Sequence, residues 1–235
     1  MCTYTKDGLG RFRTAQPATG SARTLAELDV ADPDESDVDF ILYAFDSALP
    51  YLASIGSEAQ WGTELFSQKP ERRKQFTEFV QKSYDLNARQ EADSNDDCPW
   101  QLMTLFEVRT EDDKWVRVAA QGLSTRFPDY VPESLASKDL RQAGDFLYLN
   151  YLIADRRKGD LAKGSAPHLI SFAEQQCRKR HKTPFYGDCW RGNNDGLLKY
   201  YQKLGFNPIG PFDVKDKHGP GLPWFGYLFS KSISQ

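Results

Sequence analysis

Asp188-Cys189-Trp190-Arg191-Gly192-Asn193-Asn194-Asp195-Gly196-Leu197-Leu198-Lys199-Tyr200-Tyr201-Gln202-Lys203-Leu204-Gly205-Phe206 is the most informative stretch of this chain. Its first residues complete the run Pro184 to Trp190, whose apolar and aromatic content predicts a strand. The period then changes. Leu197, Leu198, Tyr201 and Leu204 recur at helical spacing, so Asp195 to Leu204 is expected as a helix. Gly205 follows, the residue type that most readily takes the left-handed conformation closing a helix. A tyrosine in such a stripe is ordinarily a core aromatic with a bonded hydroxyl, and this is one reading of Tyr201.

Upstream, Phe146 to Ala154 is the strongest strand in the chain, apolar enough to be central in a sheet. Ser165 to Lys179 is expected as a helix, capped by Ser165 and with Pro167 tolerated in its first turn. Between them lies Arg156-Arg157-Lys158-Gly159-Asp160-Leu161-Ala162-Lys163-Gly164-Ser165. Its glycines permit close approach of backbone to a ligand, and the helix start offers unpaired N–H groups and a positive dipole end. Together with four basic side chains, these parts suit a pyrophosphate. Gly159 to Gly164 fits the glycine spacing of a P-loop, but Ser165-Ala166 stand where Lys and Ser/Thr are needed. A solvated basic loop is the bland alternative.

The remaining elements fall in order along the chain. Residues 1–21 are polar and expected as a loosely attached tail, leaving 22–235 as a single domain. Ala22 to Val30 could form a first strand. Asp32 to Glu35 resembles a helix start ahead of Phe40, Ile41, Ala44, Phe45, Ala48, Leu49 and Leu52, with Pro50 a possible kink. Glu71 to Tyr84 is a second helix, and the acidic residues 87–99 form a loop. Gln101 to Arg109 and Lys114 to Leu123 make a hairpin, and Ile209 to Val214 and Trp224 to Phe229 are the last strands.

Composition narrows the function classes. The 235 residues are 40% apolar and 27% charged, a globular profile. No apolar run approaches the ~18 residues that span a bilayer, and the polar start carries no secretion signal, so a soluble cytoplasmic protein is expected, with no membrane partner. A net charge of −3 argues against nucleic acid, whose binders usually carry a basic surplus. Cys2, Cys98, Cys177 and Cys189 show no paired spacing, and the three histidines are dispersed, so no metal is expected.

The quoted stretch resembles the D-C-W-x-G-N…L-x-x-Y-Y-x-x-x-G-F segment of a bacterial and fungal branch of the GNAT acetyltransferases. Leu152-Ile153-Ala154-Asp155-Arg156-Arg157 with Gly164, followed by Leu169-Ile170-Ser171-Phe172-Ala173-Glu174, is similar to that branch's acetyl-CoA strand, loop and helix. Ile55-Gly56-Ser57-Glu58-Ala59-Gln60-Trp61 is similar to its G-I-D-Q-W stretch. The resemblance implies an α/β fold, a mixed sheet of six or seven strands with about four helices, and acetyl-CoA as cofactor. It assigns the pantetheine arm to Leu152, Ile153 and Ala154, and the pyrophosphate to Arg156, Arg157, Lys158, Gly159, Lys163, Gly164 and Ser165. Gly159 is one place from the family's usual first glycine, and Asp160 would repel a phosphate unless it points away. The asparagine that touches pantetheine maps to Asn194 by its distance from the tyrosine and to Asn193 by the D-C-W-x-G-N pattern. Tyr201 takes the place of the acid that protonates the departing thiolate, and Tyr200 that of a structural neighbour.

The implied reaction acetylates the amine of a small molecule or peptide. Glu58, Trp61 and Asp188 are candidates for the acceptor side, and Asp188 and Glu107 for the base. Tyr130 and Trp224 are further aromatics expected near its mouth. Cys189 sits mid-strand with no histidine close in sequence, as a packed thiol does. The rival function is a non-catalytic acyl-CoA-binding module; a nucleotide-binding ATPase is weakened by the missing P-loop lysine.

Overall fold

The computed structural model describes residues 2–18, 25–89, 99–217, 219 and 221–234. Its strands are β1 Cys2–Tyr4, β2 Gly10–Thr14, β3 Gln101–Arg109, β4 Trp115–Ser124, β5 Leu147–Ala154, β6 Phe185–Trp190, β7 Asn207–Val214 and β8 Trp224–Lys231. They are hydrogen-bonded in the order β1-β2-β3-β4-β5-β6-β8-β7. The α-helices among the described residues are α1 Asp37–Ser54, α2 Pro70–Arg89, α3 Lys138–Ala143, α4 Ser165–Arg180 and α5 Gly192–Lys203, with 3-10 helices at Glu58–Gln60, Phe66–Gln68 and Arg156–Ala162. Among the described residues, eight strands and at least five α-helices exceed the six or seven and about four expected.

The chain divides into two compact units. The first comprises Met1–Ala48, Glu64–Gly122 and Tyr151–Phe172. Here the expected tail is sheet: β1 pairs antiparallel with β2, and β2 with β3, from Gly10↔Val108 to Thr14↔Thr104. Alternation explains how so polar a segment forms a strand. Phe12 stacks on Phe106 and Phe172 at 4.9 and 4.6 Å, while Arg11 and Arg13 meet buried carboxylates. Glu107 Oε2 accepts from Arg11 Nε at 2.5 Å and Oε1 from Arg13 Nε at 2.7 Å. Arg13 also pairs with Asp37 at 2.5 Å, and Arg117 with the same carboxylate at 3.1 Å. All five side chains are buried, so each charge depends on its partners. Glu107 is therefore committed to structure and is corrected as a candidate base.

Residues 22–24 of the expected first strand lie outside the described residues. Residues 25–27 are helical, and Val30 forms only a single bridge to Trp115. Helix α1 starts later than Asp32–Glu35 suggested, because Ser36 Oγ accepts the Asp39 N–H at 3.1 Å as a cap does. It continues through Pro50. Residues 90–98 of the expected acidic loop, Cys98 among them, are outside the described residues.

The second unit comprises Leu49–Thr63, Leu123–Asn150 and Ala173–Gln235. Strand β6 is central to it. It pairs parallel with β5 from Leu147↔Phe185 to Leu149↔Gly187 and antiparallel with β8 from Phe185↔Lys231 to Trp190↔Gly226. The β5–β6 ladder thus stops before either strand does. Strand β7 pairs antiparallel with β8. Phe127, Phe146, Tyr148, Tyr186, Phe212 and Trp224 fill the core against this sheet.

Candidate active site

In the first unit, β5 delivers the chain into the basic loop. Ile153 is buried, and Leu152 and Ala154 are half-buried, packed beside Phe12, Phe106 and Phe172. The Asp155 N–H donates to Val118 O at 2.8 Å, and its buried carboxylate caps the turn by accepting the Arg157 N–H at 3.0 Å. Two of the four basic side chains are already neutralised. Arg157 pairs with Asp155 at 2.8 Å and Glu35 at 3.0 Å, and Lys158 with Asp32 at 3.0 Å. The Lys158 ammonium holds the Asp32 carboxyl below its ordinary range. Arg156, Lys163 and Asp160 are exposed, and Arg156 is anchored by its N–H to Ser47 Oγ at 3.0 Å. Gly164 has φ +79°, with open space where a Cβ would stand. Ser165 does not cap α4 as expected: its hydroxyl donates to Ala162 O at 2.7 Å.

In the second unit, Asp188 lies on β6 one residue beyond the end of the β5 ladder. Its Oδ1 accepts two tyrosine hydroxyls, a short bond from buried Tyr148 and one of 3.1 Å from Tyr130. Burial raises the Asp188 carboxyl above its ordinary value, against the opposing pull of Lys217 and the two hydroxyls. The Lys217 ammonium lies 4.0 Å from the Tyr130 ring centroid and 3.2 Å from that of Trp224. Trp224 is fixed by its Nε1 donating to Gln60 O at 3.1 Å. Gln60 stands between exposed Glu58 and half-buried Trp61. Sequence reasoning missed Tyr148 and Lys217. The alternation in Phe146-Leu147-Tyr148 offered a signal for the first, and nothing local marks the second.

Tyr201 is buried on α5, its ring stacked on Phe229 at 4.4 Å and edge-on to Phe206 at 5.7 Å. Burial first, then Cys189 and Asp188, push its hydroxyl far above the ordinary tyrosine range. Tyr200 is exposed. The Cys189 thiol is also driven up, by burial and then Asp188, which suppresses the thiolate a nucleophile needs. Asn193, Asn194 and Asp195 take φ of +53°, +53° and +57°, so the regular helix begins only at Gly196, and both asparagines are exposed. Gly192 allows this turn, because a Cβ there would stand 1.9 Å from the Trp190 ring. Among the described residues no helix is long and apolar enough to cross a membrane, and no group of His, Cys, Asp and Glu could hold a metal ion.

No family model matches the chain, and no curated protein does. Solved structures do. A structure described as a GNAT-family acetyltransferase from Desulfovibrio desulfuricans superposes with TM-score 0.52 and 11% identity over 96% of this chain and 99% of that one. An N-acetyltransferase from Staphylococcus aureus Mu50 gives 0.51 and 12%, again over 96% and 99%. The ribosomal-protein-S5-alanine acetyltransferase of Vibrio fischeri gives 0.55 and 10% over 100% and 98%. The chain therefore has the α/β fold of these acetyltransferase structures.

Proposed function

We propose that this chain is an acetyl-CoA-dependent N-acetyltransferase that acts directly on a primary amine of a small molecule or peptide. In this proposal the expected 22–235 domain and the β1–β2 segment ahead of it work together as one GNAT domain, of the branch that carries the D-C-W-x-G-N segment, in the cytoplasm. The observation that carries the proposal is the fold, shared over nearly the whole chain with acetyltransferase structures.

The residues fit the cofactor. Strand β5 runs on to Ala154 after its β6 ladder has ended, and Asn150 Oδ1 is buried there with no hydrogen-bond partner among the described residues. The loop keeps two positions bare of side chains, Gly159 and Gly164, and leads into the N-terminus of the sixteen-residue α4. Leu152, Ile153 and Ala154 would hold pantetheine through their backbone. Backbone groups of 156–165 would hold the pyrophosphate, with Lys163 as an exposed cation that has no ion pair among the described residues. Asn193 or Asn194 would touch pantetheine, and Glu58 and Trp61 would line the acceptor side.

Acetyl-CoA, when bound, supplies an acetyl group activated as a thioester. Asp188 accepts one proton from the acceptor ammonium and frees its lone pair, a task for which a raised carboxyl is suited. As the nitrogen–carbon bond forms and the carbon–sulfur bond breaks, Tyr201 gives its hydroxyl proton to sulfur. It recovers a proton by way of water from the second hydrogen leaving nitrogen, and Asp188 releases its own to solvent. The test is thiol release from acetyl-CoA across amines, polyamines, amino acids and peptides. Amine-dependent release is expected. Coenzyme A binding with no turnover on any of them would identify a non-catalytic binding module instead.

A further inference from the structure

An ammonium group of the chain itself lies against two aromatic rings in the second unit. Lys217, in the segment joining β7 to β8, lays its Nζ 3.2 Å from the Trp224 ring centroid and 4.0 Å from that of Tyr130. The two rings are 6.3 Å apart at 63°, so they form two walls of a corner rather than a stack. Each wall is fixed: Trp224 by its bond to Gln60 O, Tyr130 by its hydroxyl on Asp188. Asp188 supplies the negative end of the corner. Both of its tyrosine bonds fall on Oδ1, and Oδ2 accepts none among the described residues. Ring faces that attract a cation, beside a carboxylate, are the chemistry that selects ammonium groups.

We propose that Tyr130, Trp224 and Asp188 form the recognition site for the acceptor's ammonium, and that Lys217 is this chain's own occupant of it. The acceptor class follows from the occupant. It carries a primary ammonium on a flexible aliphatic stem, as a lysine side chain, a polyamine or an aminoalkyl compound does. A tethered occupant competes at an effective concentration that short linkers set in the millimolar range, so a substrate must displace it. Lys217 then acts as a threshold that discriminates against weakly held amines. The proposal borrows from the acetyltransferase reading only that the displacing amine is the acceptor.

The test is binding without acetyl-CoA, which separates it from any failure of catalysis. The probe is n-butylammonium, the lysine side chain without its backbone, with 1-butanol as the neutral isostere. Binding is followed by Trp fluorescence and by chemical shifts of the Trp224 indole. Lys217→Ala should bind n-butylammonium at least threefold more tightly than wild type, with 1-butanol unaffected. Tyr130→Leu in the Lys217→Ala background should lose most of that gain while the melting temperature is kept. Equal affinity in wild type and Lys217→Ala, or equal binding of butanol and butylammonium, overturns the proposal even if the chain proves an active acetyltransferase. Tighter ammonium binding in a chain with no turnover upholds the site and removes the enzyme.

Discussion

The Asp188 carboxyl sits above its ordinary value because burial disfavours the charge more than Lys217 and two tyrosine hydroxyls favour it. A base of this kind is protonated and idle at low pH. In the wild type, kcat/KM should therefore fall as pH drops through the raised value. Asp188→Asn should lower kcat/KM by about 10²–10⁴-fold and abolish that acid limb; a limb that persists belongs to another group. Tyr201 differs, since its hydroxyl is pushed so far up that it stays protonated across any practical assay range. It should contribute no alkaline limb. Tyr201→Phe keeps the ring on Phe229 and removes only the proton-donating hydroxyl, so kcat should fall by about 10²–10⁴-fold with melting temperature little changed. Tyr200→Phe, at an exposed position, should cost less than about threefold, as a packing change does. If Tyr200→Phe proves the worse variant, Tyr200 is the proton donor and Tyr201 only packs.

At the scale of elements, α5 shows how the quoted motif works mechanically. Its left-handed entry places three non-glycine residues in a conformation that costs roughly 1–2 kcal/mol each for most residue types, less for Asn and Asp. Gly192 makes that entry possible by lying against the Trp190 indole. Gly192→Ala must push the ring aside, an overpacking worth about 1–3 kcal/mol. Thermal unfolding should show it at roughly 2–4 °C per kcal/mol for a chain of this size. An unchanged melting temperature would mean that Trp190 has room to move. At the other end Gly205, φ +86°, turns the chain so that the Phe206 N–H reaches Tyr201 O at 3.1 Å. Lys231 closes the cap on Leu204 O at 2.7 Å. The glycine–phenylalanine pair of the motif thus serves the helix end, and Phe206 packs into the aromatic cluster around Phe229.

At the scale of the molecule, the first unit depends on a charge network where a core would ordinarily be apolar. Burial alone would raise the Asp37 carboxyl, yet Arg13 and Arg117 hold it below its ordinary value. Its contribution to stability is therefore full above the unfolded value of about 4 and is lost as pH falls through the lower folded value. Asp37→Asn leaves Arg13 and Arg117 buried with a neutral partner. It should cost about 3–5 kcal/mol at neutral pH, as breaking a buried pair does. Its loss of stability on acidification below the ordinary carboxyl value should be shallower than that of the wild type. Chemical denaturation across pH checks both; equal acid slopes would remove Asp37 from the acid response.

Local pattern settled the elements whose burial and period agree. The strand over Phe146 to Ala154, the hairpin between Gln101 and Leu123, and the helix closed by Gly205 were all legible, because one buried face or one glycine decides each. The order of motifs along 146–206 also made the fold class legible. The hairpin of β1 and β2 was not, because its charges become buried only when Glu107 and Asp37 arrive from distant segments. Glu107 itself looked like a base until the two arginines claimed both oxygens. The ammonium corner was legible only in part: Tyr130, Trp224 and Asp188 stood among the residues expected on the acceptor side, whereas nothing local marks Lys217, which only tertiary contacts bring onto the two rings. Sequence by itself determined the elements whose burial and period agree, from the central strand to the glycine-closed helix. Tertiary structure alone decided which charges are spent on one another and which remain to do chemistry.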